Sequence, residues 1–172
     1  GGTMYWDFLR LFHEIKQALV KAKEYGKIDS IAIDTWGVDF GLIDKDGRLL
    51  ENPVHYRDGR TAGMVDYSGK YISKDSLYDM TGIQIMEINT AFQLLSILKK
   101  RSELLDRADK LLLMPDLFAY YLGAKPVAEM SIASTTQLFD ARKKCWSEEC
   151  CEKLGIKLSL LPEIVKSGTV VG

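Results

Sequence analysis

The feature that most constrains the fold is a short apolar run that lacks a polar face. Residues 27–35 carry four apolar side chains and end in the polar pair Asp34-Thr35, which predicts a strand buried on both sides. Such a strand needs neighbouring strands and covering helices, so the order of elements along the chain predicts an α/β or α+β fold. Few other strands are predicted, which indicates a sheet whose neighbours are missing.

Apolar periodicity and capping residues predict helices over much of the remaining chain. The helices are expected at residues 4–25, 73–80, 90–98, 116–122 and 147–154. Two more short strands are expected at residues 38–43 and 111–114, with a turn at 44–47 after the first. Residues 51–70 are rich in turn-forming residues, and one helix is predicted to begin near Thr61.

Composition excludes several classes of function. The chain has 172 residues, of which 47% are hydrophobic and 27% charged, and its net charge is −1. This balance is typical of a globular protein and favours neither nucleic acid nor an acidic membrane as a partner. No apolar window reaches the ~18 residues of a membrane span, and the start does not resemble a signal peptide. A cytoplasmic location is therefore expected.

The three cysteines suggest neither disulfides nor a metal site. Cys145, Cys150 and Cys151 form an odd set whose spacing matches no zinc motif, and the two histidines lie far away in sequence. Reduced thiols and no bound metal are expected.

The densest polar cluster spans residues 34–41, where the predicted interior strand meets a turn. Ligands of α/β proteins gather at the carboxyl ends of strands. There Trp36 can stack on the apolar face of a sugar ring, and Gly37 lets backbone approach a ligand closely. The same residues also fit a simple turn with Trp36 in the core.

Two more clusters hold candidate ligand groups. Residues 55–61 combine two arginines, a tyrosine and an aspartate, which suit hydroxyl recognition and equally suit pairing within the protein. Residues 89–93 begin a helix, whose free amide groups can bind a ligand or be capped by Asn89. Neither a glycine-rich phosphate loop nor a G-x-S-x-G nucleophile motif is present.

Four segments resemble the FGGY family of carbohydrate kinases. They are residues 28–61, 81–95, 108–140 and 154–172, in the same order as in the family, and together they extend the likeness over most of the chain. The motifs DTWGVDFG and NPVHYRDGRT resemble the branch of the family that phosphorylates L-rhamnulose. Gln93 and Ser96 stand where many other members have Lys and Trp, which argues against a xylulose or glycerol kinase.

The resemblance implies an α/β fold: an incomplete ribonuclease H-like, or actin-like ATPase, domain I with a family-specific helical insertion. Residues 1–172 would be the sugar-binding side of a partial N-terminal domain. By comparison with the family, the phosphate-loop hairpin, the strand with the catalytic aspartate and the C-terminal domain are expected to be absent.

The resemblance also implies an activity. The whole enzyme would transfer the γ-phosphoryl group of ATP, with Mg²⁺, to O1 of L-rhamnulose. This chain would supply sugar-binding surface, bind neither ATP nor Mg²⁺ by itself, and be inactive alone. The alternatives are another FGGY kinase, for fuculose or xylulose, and a non-catalytic module that binds sugars or other partners.

Family sugar contacts carry over to particular residues of this sequence. The substrate-binding candidates are Thr35, Trp36, Gly37, Phe40, Tyr56, Arg57, Asn89 and Gln93. No residue matches the proton-abstracting aspartate, and Asp34, Asp39 and Asp116 are not assigned that role. Self-association through an exposed sheet edge is also expected.

Overall fold

The computed structural model describes residues 2–172. Within them lie eight α-helices and six short strands. The helices are α1 (Phe8–Ala22), α2 (Met64–Ser68), α3 (Lys74–Thr81), α4 (Thr90–Lys100), α5 (Ser102–Arg107), α6 (Met114–Tyr121), α7 (Met130–Ala133) and α8 (Glu148–Leu154). The strands are β1 (Phe40–Ile43), β2 (Lys110–Leu113), β3 (Val127–Glu129), β4 (Phe139–Asp140), β5 (Cys145–Trp146) and β6 (Glu163–Val165).

The strands form three two-stranded sheets within the described residues. β1 and β2 are antiparallel, with Phe40 opposite Leu113. β3 and β6 are parallel, with Ala128 opposite Ile164, and β4 and β5 are antiparallel. Mixed helices and strands therefore confirm the α/β class predicted from the sequence.

The β1–β2 pair lies between two apolar layers. Leu111 and Leu113 pack into the main core, whose centre is α4, a helix with no exposed residue between positions 90 and 97. Leu112 faces the opposite way, into a second cluster with Phe8 of α1 and Leu117 of α6. This alternation follows from the two-residue period of a strand, and it places helices on both faces of the pair.

A glycine allows α6 to approach β1 closely. A Cβ atom at Gly41 would lie 2.7 Å from Cδ2 of Leu117 and 2.8 Å from Cδ1 of Leu49. Those distances are shorter than van der Waals contact, so a larger residue would displace the side chains of Leu117 and Leu49 that pack against the strand.

The interior strand predicted over residues 27–35 is wrong. This segment is irregular in the structure, and the side chain of Ile31 is 52% exposed. A strand is stabilised by hydrogen bonds to neighbouring strands, and no other segment of residues 2–172 pairs with this one. The apolar run therefore lacks the partner that would make it a strand.

Several predicted helices are confirmed, because their ends are determined locally. Ser73 and Ser147 each accept a hydrogen bond from a backbone N–H in the first turn of α3 and α8. Gly82 and Gly155 end the same helices in the left-handed conformation. The first helix is shorter than predicted, because Asp7 rather than Thr3 caps it.

None of the helices in residues 2–172 combines the length and the apolarity needed to cross a lipid bilayer.

Candidate functional site

A cavity of about 470 Å³ opens where β1 begins. Its walls come from four parts of the chain and are mostly apolar. The lining residues are Trp36, Gly37, Val38, Tyr56, Ile83, Gln84, Met86, Ile88, Asn89 and Thr135.

The cavity is built around a strained turn at Val38. Asp39 N donates to Gly37 O at 2.9 Å, which closes a three-residue turn with Val38 at φ +66°. A β-branched residue rarely adopts this left-handed conformation. Thr90 Oγ1 donates to Val38 O at 2.7 Å, and Val38 N donates to Thr135 Oγ1 at 3.3 Å. These bonds hold the strained backbone in place beside the cavity.

Gly37 packs against Thr135 from the other side of the turn. A Cβ atom at Gly37 would lie 3.1 Å from Oγ1 of Thr135 and 3.2 Å from its Cβ and Cγ2 atoms. A larger residue at position 37 would therefore require Thr135 or the turn to shift by a few tenths of an ångström.

Behind the turn lies the carboxylate of Asp39, which is fully buried. Its Oδ2 atom accepts hydrogen bonds from Trp6 Nε1 at 2.7 Å, from Trp36 Nε1 at 3.1 Å and from the backbone N–H of Tyr56 at 3.2 Å. Its Oδ1 atom accepts one from Gln93 Nε2 at 3.0 Å. A buried carboxylate needs such donors, because none of its former hydration remains.

Gln93 connects this carboxylate to a partly buried cation. The two hydrogens of Gln93 Nε2 are shared among Asp39 and the carbonyl oxygens of Val38 and Ile88, and Gln93 Oε1 accepts from Arg60 Nη2 at 2.5 Å. Burial lowers the pKa of the Arg60 guanidinium, whose Nε atom has no hydrogen-bond partner among residues 2–172, while Asp58 and Asp39 oppose that shift.

An aromatic cluster forms one wall of the cavity. The Trp6 ring lies 4.3 Å from the Trp36 ring and 4.2 Å from the His55 ring, measured between centroids. The rings of His55 and Tyr56 are 4.5 Å apart. Trp36 and Tyr56 therefore reach the cavity with their positions supported by rings behind them.

The opposite wall is held by buried amides. Asn89 Nδ2 donates to Gln84 O at 2.9 Å and to Gln137 Oε1 at 2.7 Å. Gln137 Nε2 in turn donates to Thr81 Oγ1 at 2.6 Å. Asn89 precedes α4 but makes no side-chain cap to it, and its NH₂ group binds the loop at residues 83–88 through Gln84 O.

The structure brings half of the predicted sugar contacts together. Trp36, Gly37, Tyr56 and Asn89 line one cavity, although up to 53 residues separate them. Thr35, Phe40, Arg57 and Gln93 are absent from its lining.

The four remaining candidates have other partners. Thr35 Oγ1 donates to Trp36 O at 3.3 Å, and Phe40 is buried in the core. Arg57 is exposed and lies 5.5 Å from the centre of the Tyr56 ring. Gln93 is 1% exposed, and both polar atoms of its side chain are engaged.

Sequence reasoning missed Trp6, Thr135 and Gln137 as parts of this site. Gln137 has a positive φ of 63°, which no local sequence motif predicts. Thr135 lies in the segment SIASTTQLFD, already noted for its likeness to the kinase family, and that was the one signal available.

Comparison with known proteins identifies the family. Residues 2–172 match the FGGY family of carbohydrate kinases, N-terminal domain. The chain belongs to this family. Among curated FGGY kinases, it is 45% identical over 172 residues to a rhamnulokinase of Enterococcus faecalis, covering 99% of the chain and 34% of that relative. It is 40% identical to a rhamnulokinase of Bacteroides thetaiotaomicron, covering 100% of the chain and 36% of that relative.

Solved structures of FGGY kinases share the fold. A gluconate kinase and a ligand-bound xylulose kinase, both from Lactobacillus acidophilus, superpose with a TM-score of 0.88 at 19% identity. Each comparison covers 100% of this chain and 37% of the other protein. The chain thus spans about a third of the length of the relatives it matches. The actin-like ATPase fold expected from the resemblance is confirmed.

Proposed function

We propose that this chain forms the ketose-binding wall of an ATP-dependent kinase that phosphorylates O1 of L-rhamnulose. The observation that carries the proposal is the cavity in which an aromatic wall faces the Gly37–Val38 turn. Likeness to three proteins named rhamnulokinase, at 37–45% identity over 97–100% of this chain, supports L-rhamnulose as the substrate.

The cavity suits a neutral sugar. No lysine, arginine, aspartate or glutamate is among its lining residues. The ring faces of Trp36 and Tyr56 can cover the C–H surface of a sugar, while the amide group of Gln84 and the Oδ1 atom of Asn89 offer partners for hydroxyls. A phosphorylated or otherwise charged sugar would leave its charge unpaired here.

The lining does not fit ATP or Mg²⁺. Mg²⁺ prefers carboxylate and phosphate oxygens, and triphosphates need cationic side chains or a glycine-rich loop. The lining of this cavity contains no carboxylate, no cationic side chain and no glycine-rich loop. The role we propose for these residues is to bind and orient the ketose, so that O1 is held for attack, a contribution of position rather than of proton transfer.

The test is a substrate panel with the protein as its gene encodes it. Initial rates with ATP are measured for L-rhamnulose, fuculose and xylulose. We expect kcat/KM for L-rhamnulose to exceed the others by about tenfold or more, because hydroxyl recognition separates stereoisomers. A higher value for fuculose or xylulose would assign the enzyme to that sugar instead.

A binding measurement separates the non-catalytic alternative. If the encoded protein binds L-rhamnulose in calorimetry but transfers no phosphoryl group from ATP, the sugar-binding module is the better description. If it neither binds nor phosphorylates any of the three ketoses, the proposed function is wrong.

A further inference from the structure

We propose that Asp39 is a positioning residue, which holds the aromatic wall of the cavity in place from behind. The proposal rests on the function proposed above, since it concerns how the ketose is gripped. Asp39 itself is fully buried and does not line the cavity, so it would act through Trp36 and Tyr56.

One oxygen atom joins three separate segments of the chain. Oδ2 of Asp39 accepts from Trp6, which precedes α1, from Trp36 and from the backbone of Tyr56. Two of these partners, Trp36 and Tyr56, line the cavity, and the third stacks against Trp36 with 4.3 Å between ring centroids. The carboxylate therefore anchors the Trp36 indole and the backbone of Tyr56 relative to the Gly37–Val38 turn.

All hydrogen bonds to this carboxylate run in one direction. Both of its oxygens only accept, and its partners are two indole N–H groups, one backbone N–H group and one amide of Gln93. An asparagine at position 39 would present its NH₂ group either to the three donors at Oδ2 or to Gln93 Nε2 at Oδ1. In either orientation a donor meets a donor, so residue 39 must shift and its bonds to the aromatic wall must change.

Gln93 cannot repair this loss by turning its amide over. Its Oε1 atom already accepts from Arg60 at 2.5 Å, and its Nε2 atom faces the carbonyl oxygens of Val38 and Ile88. A flipped amide would oppose Arg60 with a donor and both carbonyls with an acceptor. The network therefore has one consistent arrangement, with an acceptor at both oxygens of residue 39.

The first variant is Asp39→Asn in the protein as its gene encodes it. We expect KM for the ketose to rise about tenfold, with kcat within about twofold of wild type and KM for ATP unchanged. We also expect weaker near-ultraviolet circular dichroism from tryptophan in the absence of sugar, because the indoles lose their fixed orientation. A merely structural role would lower the melting temperature without that selective rise in ketose KM.

A second variant keeps the test decisive if Asp39→Asn does not fold. Trp36→Phe retains an aromatic face but removes the N–H group that reaches Asp39 together with part of the indole ring, and we expect ketose KM to rise severalfold. The matched control is Trp146→Phe, which removes an indole hydrogen bond of 2.6 Å to Pro162 O away from the cavity. Its ketose KM should equal that of wild type.

The outcomes separate this inference from the proposed function. Wild-type ketose KM in both Asp39→Asn and Trp36→Phe would overturn the positioning role while leaving the kinase assignment intact. If the wild-type protein phosphorylates no ketose, the kinase assignment fails. The tryptophan dichroism of Asp39→Asn then decides the positioning role alone, and an unchanged spectrum overturns it.

Discussion

Asp39 and Asp116 are both buried, and their surroundings differ. Asp39 accepts four hydrogen bonds through its two oxygens. Asp116 accepts only one, from the backbone N–H of Glu129 at 3.2 Å, and its Oδ2 atom has no partner among the described residues. Burial raises the pKa of Asp116 to about 7, while the bond from Glu129 N opposes the shift.

This difference predicts that Asp116 makes stability depend on pH. Its pKa is 3.8 in the ordinary case and about 7 in the folded chain, so the folded form favours the protonated acid. The contribution of Asp116 to the free energy of unfolding is therefore fully present below about pH 3.8 and is lost as the pH rises through about 7. In Asp116→Asn this loss should disappear, because the amide does not titrate.

Urea unfolding at pH 5 and pH 8 measures the effect. Asp116→Asn should gain free energy of unfolding relative to wild type on going from pH 5 to pH 8. Asp79→Asn changes an exposed carboxyl in the same way and controls for the loss of one negative charge. Parallel pH dependence of Asp116→Asn and wild type would contradict the prediction.

A substitution at Gly37 should weaken binding of the ketose. Gly37→Ala places a methyl group 3.1–3.2 Å from three atoms of Thr135, so the turn or Thr135 must shift. We expect ketose KM to rise about tenfold, with a loss of stability of ~1–3 kcal/mol from overpacking. Thr135→Ser removes the Cγ2 atom and keeps the hydroxyl, so the double variant should recover part of both losses. An unchanged KM in Gly37→Ala would remove this turn from the sugar site.

Among the elements, β1 and β2 matter most for the site. The Gly37–Val38 turn directly precedes β1, which pairs with β2. A further hydrogen bond, from Met114 N to Asp39 O at 3.1 Å, holds the turn beside the start of α6. The segment before this turn contributes no strand among residues 2–172, so the position of the turn depends on β2, α4 and Thr135.

A pair of substitutions tests the irregular segment against the strand predicted there. Ile31→Ala should change the free energy of unfolding by less than about 0.5 kcal/mol, since Ile31 is 52% exposed. Leu112→Ala, in a fully buried position of β2, should cost about 2–5 kcal/mol. Urea denaturation of both variants measures the contrast. A loss of several kcal/mol in Ile31→Ala would instead support the buried strand predicted from the sequence.

For the whole molecule, the fold is retained despite extensive sequence change. A TM-score of 0.88 accompanies only 19% identity to the xylulose kinase structure, so many different side chains support this backbone. The chain covers 37% of that protein. The absence of the phosphate-loop hairpin, the catalytic-aspartate strand and the C-terminal domain from residues 1–172 stays a prediction.

The edges of the three sheets could pair with another copy of the chain. Each sheet of the described residues has two strands, and an edge strand offers unpaired N–H and C=O groups to another copy. We therefore expect the sedimentation coefficient of the 172-residue chain to increase over about a hundredfold rise in concentration. A constant value for the monomer would contradict this expectation.

The amino-acid sequence alone determined the features that depend on near neighbours. The caps at Ser73 and Ser147 and the terminating glycines at 82 and 155 act within a few residues, so α3 and α8 could be predicted. The motif around residues 34–41 also indicated the right family and one wall of the cavity.

Only the tertiary structure decided which distant residues meet. Trp6 reaches Asp39 across 33 residues of sequence and Val38 reaches Thr135 across 97, contacts that no local pattern encodes. The run at residues 27–35 has the composition of a strand but no partner among the described residues, since pairing depends on what packs beside it. Caps and periodicity are short-range interactions, whereas strand pairing and the network around Asp39 exist only once the whole chain has packed.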